Sequence, residues 1–207
     1  LKEGKSIVVT AKKAGLMLGV SAQYPAVIPI YREFYEQILG PLEKVEEIAV
    51  EMEVKGRKGR KSYQEIWIDM ATHPLSLMIG FLPRSRIDYE TLTCVISERE
   101  NRASFHCISQ DNRCAVDIVM RDISDGNPVR RFAVNGFEVE WDGYSDVQGI
   151  YRAMLQHGEK KVRCKDFLHM FIEEFVAAVK GKGGHILVSG KDGLLNLTYQ
   201  VNILNRA

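Results

Sequence analysis

An Asn-Gly pair with a strand-like segment on each side most constrains how this chain can fold. Val129 to Val134 precede Asn135-Gly136, and Phe137 to Trp141 follow it. The dipeptide favours a two-residue type I′ hairpin, because both positions of that turn need a positive φ. Three more strand patterns, joined by short polar segments, come earlier in the chain, at residues 87–97, 103–109 and 114–121. Because short connections join antiparallel neighbours, we predict a large, mostly antiparallel sheet.

Helical patterns lie on both sides of these strands. Residues 27–38 and 75–82 carry apolar residues at helical spacing, and residues 45–54 between them alternate like a strand with one solvated face. Two helices close the chain, one from Phe167 to Val179 and one starting at a capping-box-like Ser189. Helices from both ends would cover one sheet face, so the predicted class is α+β with an open sheet.

The first part of the chain has a different pattern. Residues 2–14 predict a helix that ends at Gly15, and Leu16 to Val20 predict a short strand buried on both faces. A helix followed by such a strand is typical of the end of an α/β unit, which cannot bury its faces alone. The first residue is Leu1 rather than methionine, so we expect this chain to be part of a longer or processed protein.

Composition excludes few functions. The chain has 207 residues, 45% of them hydrophobic, and a net charge of +1, which allows a full core and gives no reason to expect a nucleic-acid partner. We also expect no membrane span and no signal peptide. The four cysteines lack CxxC spacing, which indicates free thiols in a reducing compartment, hence a cytoplasmic protein without a zinc site. The basic run from Lys55 to Lys61 is either a solvated loop or a contact with a substrate or cofactor phosphate.

The candidate catalytic pair is Asp69 and His73. These residues are four apart, so on a helical turn they share one face. A histidine exchanges protons near neutral pH, and a neighbouring carboxylate can orient its ring. The alternative is a capping Asp69 with His73 buried near the start of the following helix.

At three places the chain resembles the glucose–fructose oxidoreductase, inositol dehydrogenase and rhizopine-catabolism family of NAD(P)-dependent oxidoreductases. Residues 2–24 look like the end of that family's Rossmann domain, Asp69 to Ser76 like its D-x-G-x-H-x-x-D segment, and residues 167–204 like its closing helices. The chain departs from the family at Ala71, where the motif has Gly, at Ser76, where it has an acid, and at Pro25, where many members have Arg.

The resemblance implies two parts: residues 1–22 as the remnant of an N-terminal nucleotide-binding domain, and residues 23–207 as a substrate-binding and oligomerisation domain. It implies hydride transfer between NAD or NADP and a small sugar, polyol or related hydroxyl compound. By resemblance, His73 is the acid/base and Asp69 orients substrate or tunes the local charge. Further substrate contacts are expected at Tyr24, Gln23, Trp67 and Ser76, although Trp67 could instead pack beneath the pocket and Tyr24 and Gln23 could be junction packing.

Cofactor contacts are expected outside this chain. It contains no G-x-G-x-x-G turn, and the family's catalytic lysine would precede Leu1. We therefore expect this fragment to be inactive alone, and a homo-oligomer to form through the open sheet. The competing hypothesis is a non-catalytic oligomerisation or ligand-binding module, which Ser76 and Pro25 favour. A nucleic-acid binder acting through Arg57 to Lys61 is a third hypothesis.

Overall fold

The structure, a computed structural model, describes residues 1–55, 64–97, 100–109, 112–123 and 125–207. The basic run at residues 56–61 therefore lies outside the described residues, and so does part of the polar segment after residue 97. In the described part of the chain no helix is both long and apolar enough to cross a membrane. The four cysteines are free thiols, as predicted.

The helices in these residues come before and after the main run of strands. They are α1 (Lys2–Lys13), a 3₁₀ helix (Tyr24–Val27), α2 (Ile28–Leu39), α3 (Gln64–Met70), α4 (Thr72–Phe81), α5 (Phe167–Val179) and α6 (Gly190–Leu204). The strands are β1 (Glu47–Lys55), β2 (Arg86–Ile96), β3 (Glu100–Ile108), β4 (Arg113–Ile123), β5 (Arg130–Val134), β6 (Phe137–Ser145), β7 (Tyr151–His157) and β8 (Lys160–Cys164).

The described strands form one eight-stranded open sheet in the order β2-β3-β4-β1-β5-β6-β7-β8. Strand β1 is inserted between β4, which runs parallel to it, and β5, which runs antiparallel. Every other neighbouring pair in this order is antiparallel. The predicted α+β class with a large, mostly antiparallel sheet is confirmed.

One face of the sheet is covered by the helices, and we call it the covered face. Alternate residues of β1, Ile48, Val50 and Met52, are buried there in a core shared with α2, α4 and α6. The Tyr31 hydroxyl of α2 donates to the Phe137 carbonyl at 2.6 Å and accepts from the Val134 N–H at 2.9 Å. Helix α2 is thereby fixed across the β5–β6 hairpin, whose turn has the positive φ angles predicted for Asn135 (50°) and Gly136 (77°).

The opposite face, which we call the open face, carries alternating charges. Glu138, Arg131, Glu51, Arg121 and Glu100 form a continuous row of ion pairs across β6, β5, β1, β4 and β3. We call this set the ion-pair row. Its side chains alternate in position with the buried ones, as the two-residue period of a strand requires.

The start of the chain differs from the prediction. Helix α1 forms, but none of its residues is buried. Residues 16–20 are not a regular strand: Gly19 makes one isolated bridge to Ser189, and the Leu16 and Met17 side chains are exposed. A strand needs neighbours to satisfy its N–H and C=O groups. The bridge gives this segment two such bonds, because the Gly190 N–H donates to the Leu18 carbonyl at 2.8 Å and the Val20 N–H donates to the Val188 carbonyl at 3.0 Å.

The stretch before Asp69 forms the helix α3. Ile66, Trp67 and Ala71 are buried and Met70 is half-buried, at the spacing of one helical face. The acid and the histidine therefore lie in a helical region throughout.

Candidate functional site

Helices α3 and α4 follow each other with almost no interruption at the candidate pair. The Ala71 N–H donates to the Trp67 carbonyl at 2.9 Å, and the Leu75 N–H donates to the Ala71 carbonyl at 3.1 Å. Because these helical bonds continue through the junction, Asp69 and His73 are separated by about one turn, as their spacing predicts. Asp69 is exposed and His73 half-buried. A direct contact between their side chains stays a prediction.

The imidazole of His73 lies against an aromatic cluster. The Tyr24 ring, from the 3₁₀ helix, stacks on it with ring centroids 4.4 Å apart and planes inclined by 21°. The Trp141 ring of β6 lies 4.1 Å from the Tyr24 ring, and the Phe167 ring of α5 lies 4.7 Å from that of Trp141. Two of the predicted site residues, Tyr24 and His73, are therefore brought together. Gln23 is half-buried and directly precedes the 3₁₀ helix.

Electrostatics keeps this imidazole neutral. Burial, assisted by the positive charge of Arg130, lowers the pKa of His73 below its ordinary value of 6.5. Burial raises the pKa of Tyr24 to about 12, against a smaller lowering by Arg130 and with a further contribution from Tyr151. At neutral pH His73 is thus an uncharged base and Tyr24 an uncharged hydroxyl, and both lie within the field of one arginine.

Three buried polar atoms of this cluster have no hydrogen-bond partner among the described residues. They are Nδ1 of His73, Nε of Arg130 and Nε1 of Trp141. Buried polar groups in native proteins are nearly always paired, and an unpaired one costs about 1–3 kcal/mol. A ligand with hydrogen-bonding atoms would remove that cost, so these three atoms indicate a binding site.

Trp67 and Ser76 lie in the packing between helices. The Trp67 side chain is 0% exposed, and its indole N–H donates to the Gln200 carbonyl of α6 at 3.1 Å. Trp67 is therefore a buried packing residue. The Ser76 hydroxyl is 3% exposed and accepts from the Asn196 amide of α6 at 2.7 Å. These contacts give both residues a role in holding α3 and α4 against α6.

Arg130, Trp141 and Tyr151 were not anticipated as site residues. Trp141 was assigned to a strand, and only the pairing of β5 with β6 and of β6 with β7 shows which positions share the covered face. Tyr151 lies on β7, which the sequence pattern did not reveal. Arg130 is directly followed by a second arginine, Arg131, and nothing in the sequence indicates which of the two side chains faces the helices.

Together these groups can perform proton transfer on a bound hydroxyl compound. A neutral imidazole can accept a hydroxyl proton, and the stacked Tyr24 ring fixes its plane. Aromatic rings also offer an apolar surface for the C–H face of a polyhydroxylated ring. No group of three or more His, Cys, Asp or Glu side chains able to hold a metal ion is found in the described part of the chain.

No family model matches the sequence, and no curated protein is significantly similar to it. Its fold, however, is the fold of sugar-related oxidoreductases. UDP-N-acetylglucosamine 3-dehydrogenase GnnA from Acidithiobacillus ferrooxidans superimposes with a TM-score of 0.67 at 13% identity, over 97% of this chain and 65% of that chain. The dehydrogenase MviM from Clostridium difficile gives 0.64 at 9% identity, over 100% and 68%.

The aldose-aldose oxidoreductase from Caulobacter crescentus is similar to the same degree, with a TM-score of 0.63 at 15% identity, over 99% of this chain and 65% of that chain. These proteins are oxidoreductases of the type that the sequence resembles, so the resemblance is confirmed at the level of the fold. This chain spans about 65% of the length of the first of them.

Proposed function

We propose that this chain is the substrate-binding and proton-transfer part of an NAD(P)-dependent oxidoreductase. The reaction is hydride transfer between a nicotinamide and the hydroxyl-bearing carbon of a sugar, polyol or related compound. His73 takes the hydroxyl proton as the hydride leaves. Tyr24 and Gln23 line the substrate side of the site, and Asp69 stabilises the imidazolium that forms.

The observation that carries this proposal is the stacked, neutral His73 with its unpaired Nδ1. A buried polar atom of a purely structural side chain nearly always has a hydrogen-bond partner. Here one nitrogen is buried without a described partner, and burial keeps the ring uncharged. Both properties suit a base that meets its proton donor only when substrate is bound.

The sequence has no glycine-rich turn between a strand and a helix of the kind that holds dinucleotide phosphates. The cofactor, NAD or NADP, would be held by a domain outside this chain. When bound, the nicotinamide supplies the hydride acceptor. The residues described here orient the substrate, exclude water around the aromatic cluster and move the proton.

The exposed apolar surface at the start of the chain supports the assignment of residues 1–22 to a nucleotide-binding domain. Ile7, Leu16 and Met17 are all more than half exposed. A largely apolar cavity of about 380 Å³ lies between α1, residues 18–20 and α6. Exposed apolar side chains and an apolar cavity together often mark a surface that meets another structural unit, here the remainder of the proposed domain.

The test uses the intact protein that contains this chain. It is assayed with NAD and NADP against a panel of sugars and polyols, first unmodified and then with His73→Ala. Loss of a general base should lower turnover by about 10² or more. His169→Ala, an exposed histidine on α5, is the matched control and should leave turnover unchanged. Equal turnover in the His73 variant and the control would remove His73 from the mechanism, and no turnover with any compound would refute the oxidoreductase assignment.

A second proposal concerns assembly: the open face pairs with a second copy of the chain. The ion-pair row carries three acids and two arginines, so a two-fold related copy can place acids opposite arginines. Three buried or small apolar residues lie beside the ion-pair row on the same face: Val119, Ala49 and Ala133. This face would serve equally in the competing hypothesis of a non-catalytic assembly module.

A further inference from the structure

Arg130 lies on the covered face of the sheet, beside the aromatic cluster. In the register of the sheet, Arg130 of β5 lies opposite the buried Met52 of β1. Phe132, two residues further along β5, is buried in the helix-covered core, so Arg130 points to that same side. Arg131 lies opposite Glu140 in the register of β5 and β6. Arg130 and Trp141 are therefore the next two positions that face each other on these strands.

Four other arginines of the sheet have carboxylate partners. Arg121 and Arg131 share Glu51, Arg102 pairs with Asp117 at 2.9 Å, and Arg152 pairs with Asp146 at 3.0 Å. Within the described ranges no carboxylate pairs with Arg130, and its buried Nε has no acceptor. A partly buried guanidinium without a counter-charge is costly, so this position indicates an anion that the chain itself does not supply.

The indole nitrogen of Trp141, on the neighbouring strand, also lacks an acceptor among the described residues. The indole N–H of Trp141 can only donate, and its buried nitrogen has no partner in the part of the chain that the structure describes. Two donors on adjacent strands, one of them charged, thus face the side of the sheet where Tyr24 stacks on His73. Carboxylate and phosphate oxygens match such a set, because they are acceptors only and the arginine fork fits both.

We propose that the substrate of this site carries an anionic group, a carboxylate or a phosphate, which binds Arg130 and Trp141 while its reacting hydroxyl lies at His73. This inference rests on the proposed function for the position of the hydroxyl, but the anion site itself stands on Arg130 and Trp141. It narrows the substrate class from sugars and polyols in general to sugar acids, sugar phosphates and their relatives.

The same arrangement links binding to the base. Arg130 helps to lower the pKa of His73 in the structure. An anion on the guanidinium offsets that charge and so favours the protonated imidazole. His73 then becomes a stronger base once the correct substrate is bound. A neutral analogue would lack this effect.

The test is binding calorimetry on this chain with three probes of matched ring size: glucose, glucuronate and glucose 6-phosphate. Glucuronate tests a carboxylate and glucose 6-phosphate a phosphate. We expect at least one of the two anions to bind about tenfold or more tightly than glucose, the scale of one charge-assisted hydrogen bond. Arg130→Gln should abolish that preference. Arg131→Gln removes the same charge from the next residue, on the open face, and should keep the preference.

Equal binding of glucose and both anions, or no anion binding at millimolar concentration, would overturn the inference. A preference that survives Arg130→Gln, or is lost equally in Arg131→Gln, would also overturn it, because surface charge would then explain it. If Arg130→Gln shows no cooperative thermal unfolding, it has not folded, and Arg130→Lys is used in its place. Arg130→Lys should weaken anion binding. Unchanged anion binding in that variant would refute the role of the guanidinium fork. Binding needs no cofactor, so failure of the oxidoreductase assay and failure of the anion site are separate results.

Discussion

Replacing Asn196 with Ala should release α6 from the helix that carries His73. The Asn196 amide nitrogen donates to the Thr72 carbonyl at 2.8 Å and to the Ser76 hydroxyl at 2.7 Å, and its amide oxygen accepts from the Gln200 amide at 2.7 Å. The side chain is 2% exposed. Two bonds that join α4 and α6, and one bond within α6, therefore end at one buried amide.

The expected cost follows from these bonds. Each contributes about 1 kcal/mol, so Asn196→Ala should lower the free energy of unfolding by about 3 kcal/mol. For a chain of this size that is a fall of about 6–12 °C in melting temperature. Ser76→Ala loses one of the three bonds and should cost about 1 kcal/mol. Because both variants remove the same Asn196–Ser76 bond, the double variant should be less destabilised than the sum of the two by about 1 kcal/mol.

The assay is urea unfolding followed by tryptophan fluorescence, with Asn202→Ala as the control. Asn202 lies on the same helix and donates a single bond of 3.2 Å to the half-buried Tyr89 hydroxyl, so its loss should cost less than about 1 kcal/mol. If Asn196→Ala and Asn202→Ala are equally stable, the amide does not hold the two helices together. Additive Ser76 and Asn196 effects would show that these two side chains are not coupled.

Two further predictions concern pH and assembly. Because the folded pKa of His73 is lowered from 6.5, the unfolded chain binds the proton more readily, and the stability present above pH 6.5 is lost as the pH falls towards the folded pKa. His73→Gln should flatten the pH dependence of the melting temperature over that range, and His169→Gln should not. If the slope is unchanged in His73→Gln, His73 is not the group that causes it. The chain should self-associate at micromolar concentration by analytical ultracentrifugation, and Glu51→Lys should weaken this where the exposed helix variant Glu33→Lys does not; a strictly monomeric wild type would refute the assembly proposal.

The sheet could largely be predicted from the sequence because its signals are local. Alternation marks β1 and β4, and the Asn135-Gly136 pair fixes the register of β5 and β6. Strands β7 and β8 were missed, since Tyr151 to Cys164 mix basic and apolar residues without a clear period. The parallel pairing of β1 with β4 was also out of reach, because residues distant in sequence decide it.

Helix α6 shows why periodicity alone misplaces a buried face. Its apolar residues Leu194, Leu197, Val201 and Leu204 predict the inward stripe, yet these are only half-buried. The helix instead buries Asn196, Tyr199, Gln200 and Ile203. Polar residues can occupy a core position when each finds a partner, and those partners lie on α4, more than a hundred residues earlier.

Within the Asp69–Ser76 segment, the sequence could not separate a site residue from a supporting one. His73 and Ser76 are one helical turn apart on α4, and both are polar residues in a motif associated with substrate. The structure distinguishes them by their partners. Ser76 is bonded to Asn196, whereas Nδ1 of His73 has no partner among the described residues. Residue type was enough to predict that this segment carries a proton-exchanging side chain. Which residue is free to meet a substrate and which one supports the fold depends on contacts with residues distant in sequence.

The two buried polar clusters that contain residues of α4 therefore have opposite thermodynamic effects. The Asn196 cluster is satisfied within the chain and stabilises the fold. The cluster around His73, Arg130 and Trp141 contains three unpaired atoms, which destabilise the chain until an outside group pairs with them. A ligand that supplies those pairs binds the folded state alone, so it must raise the melting temperature as its concentration increases. At the site three such atoms lie on neighbouring elements, where one ligand with several polar atoms could pair with all of them.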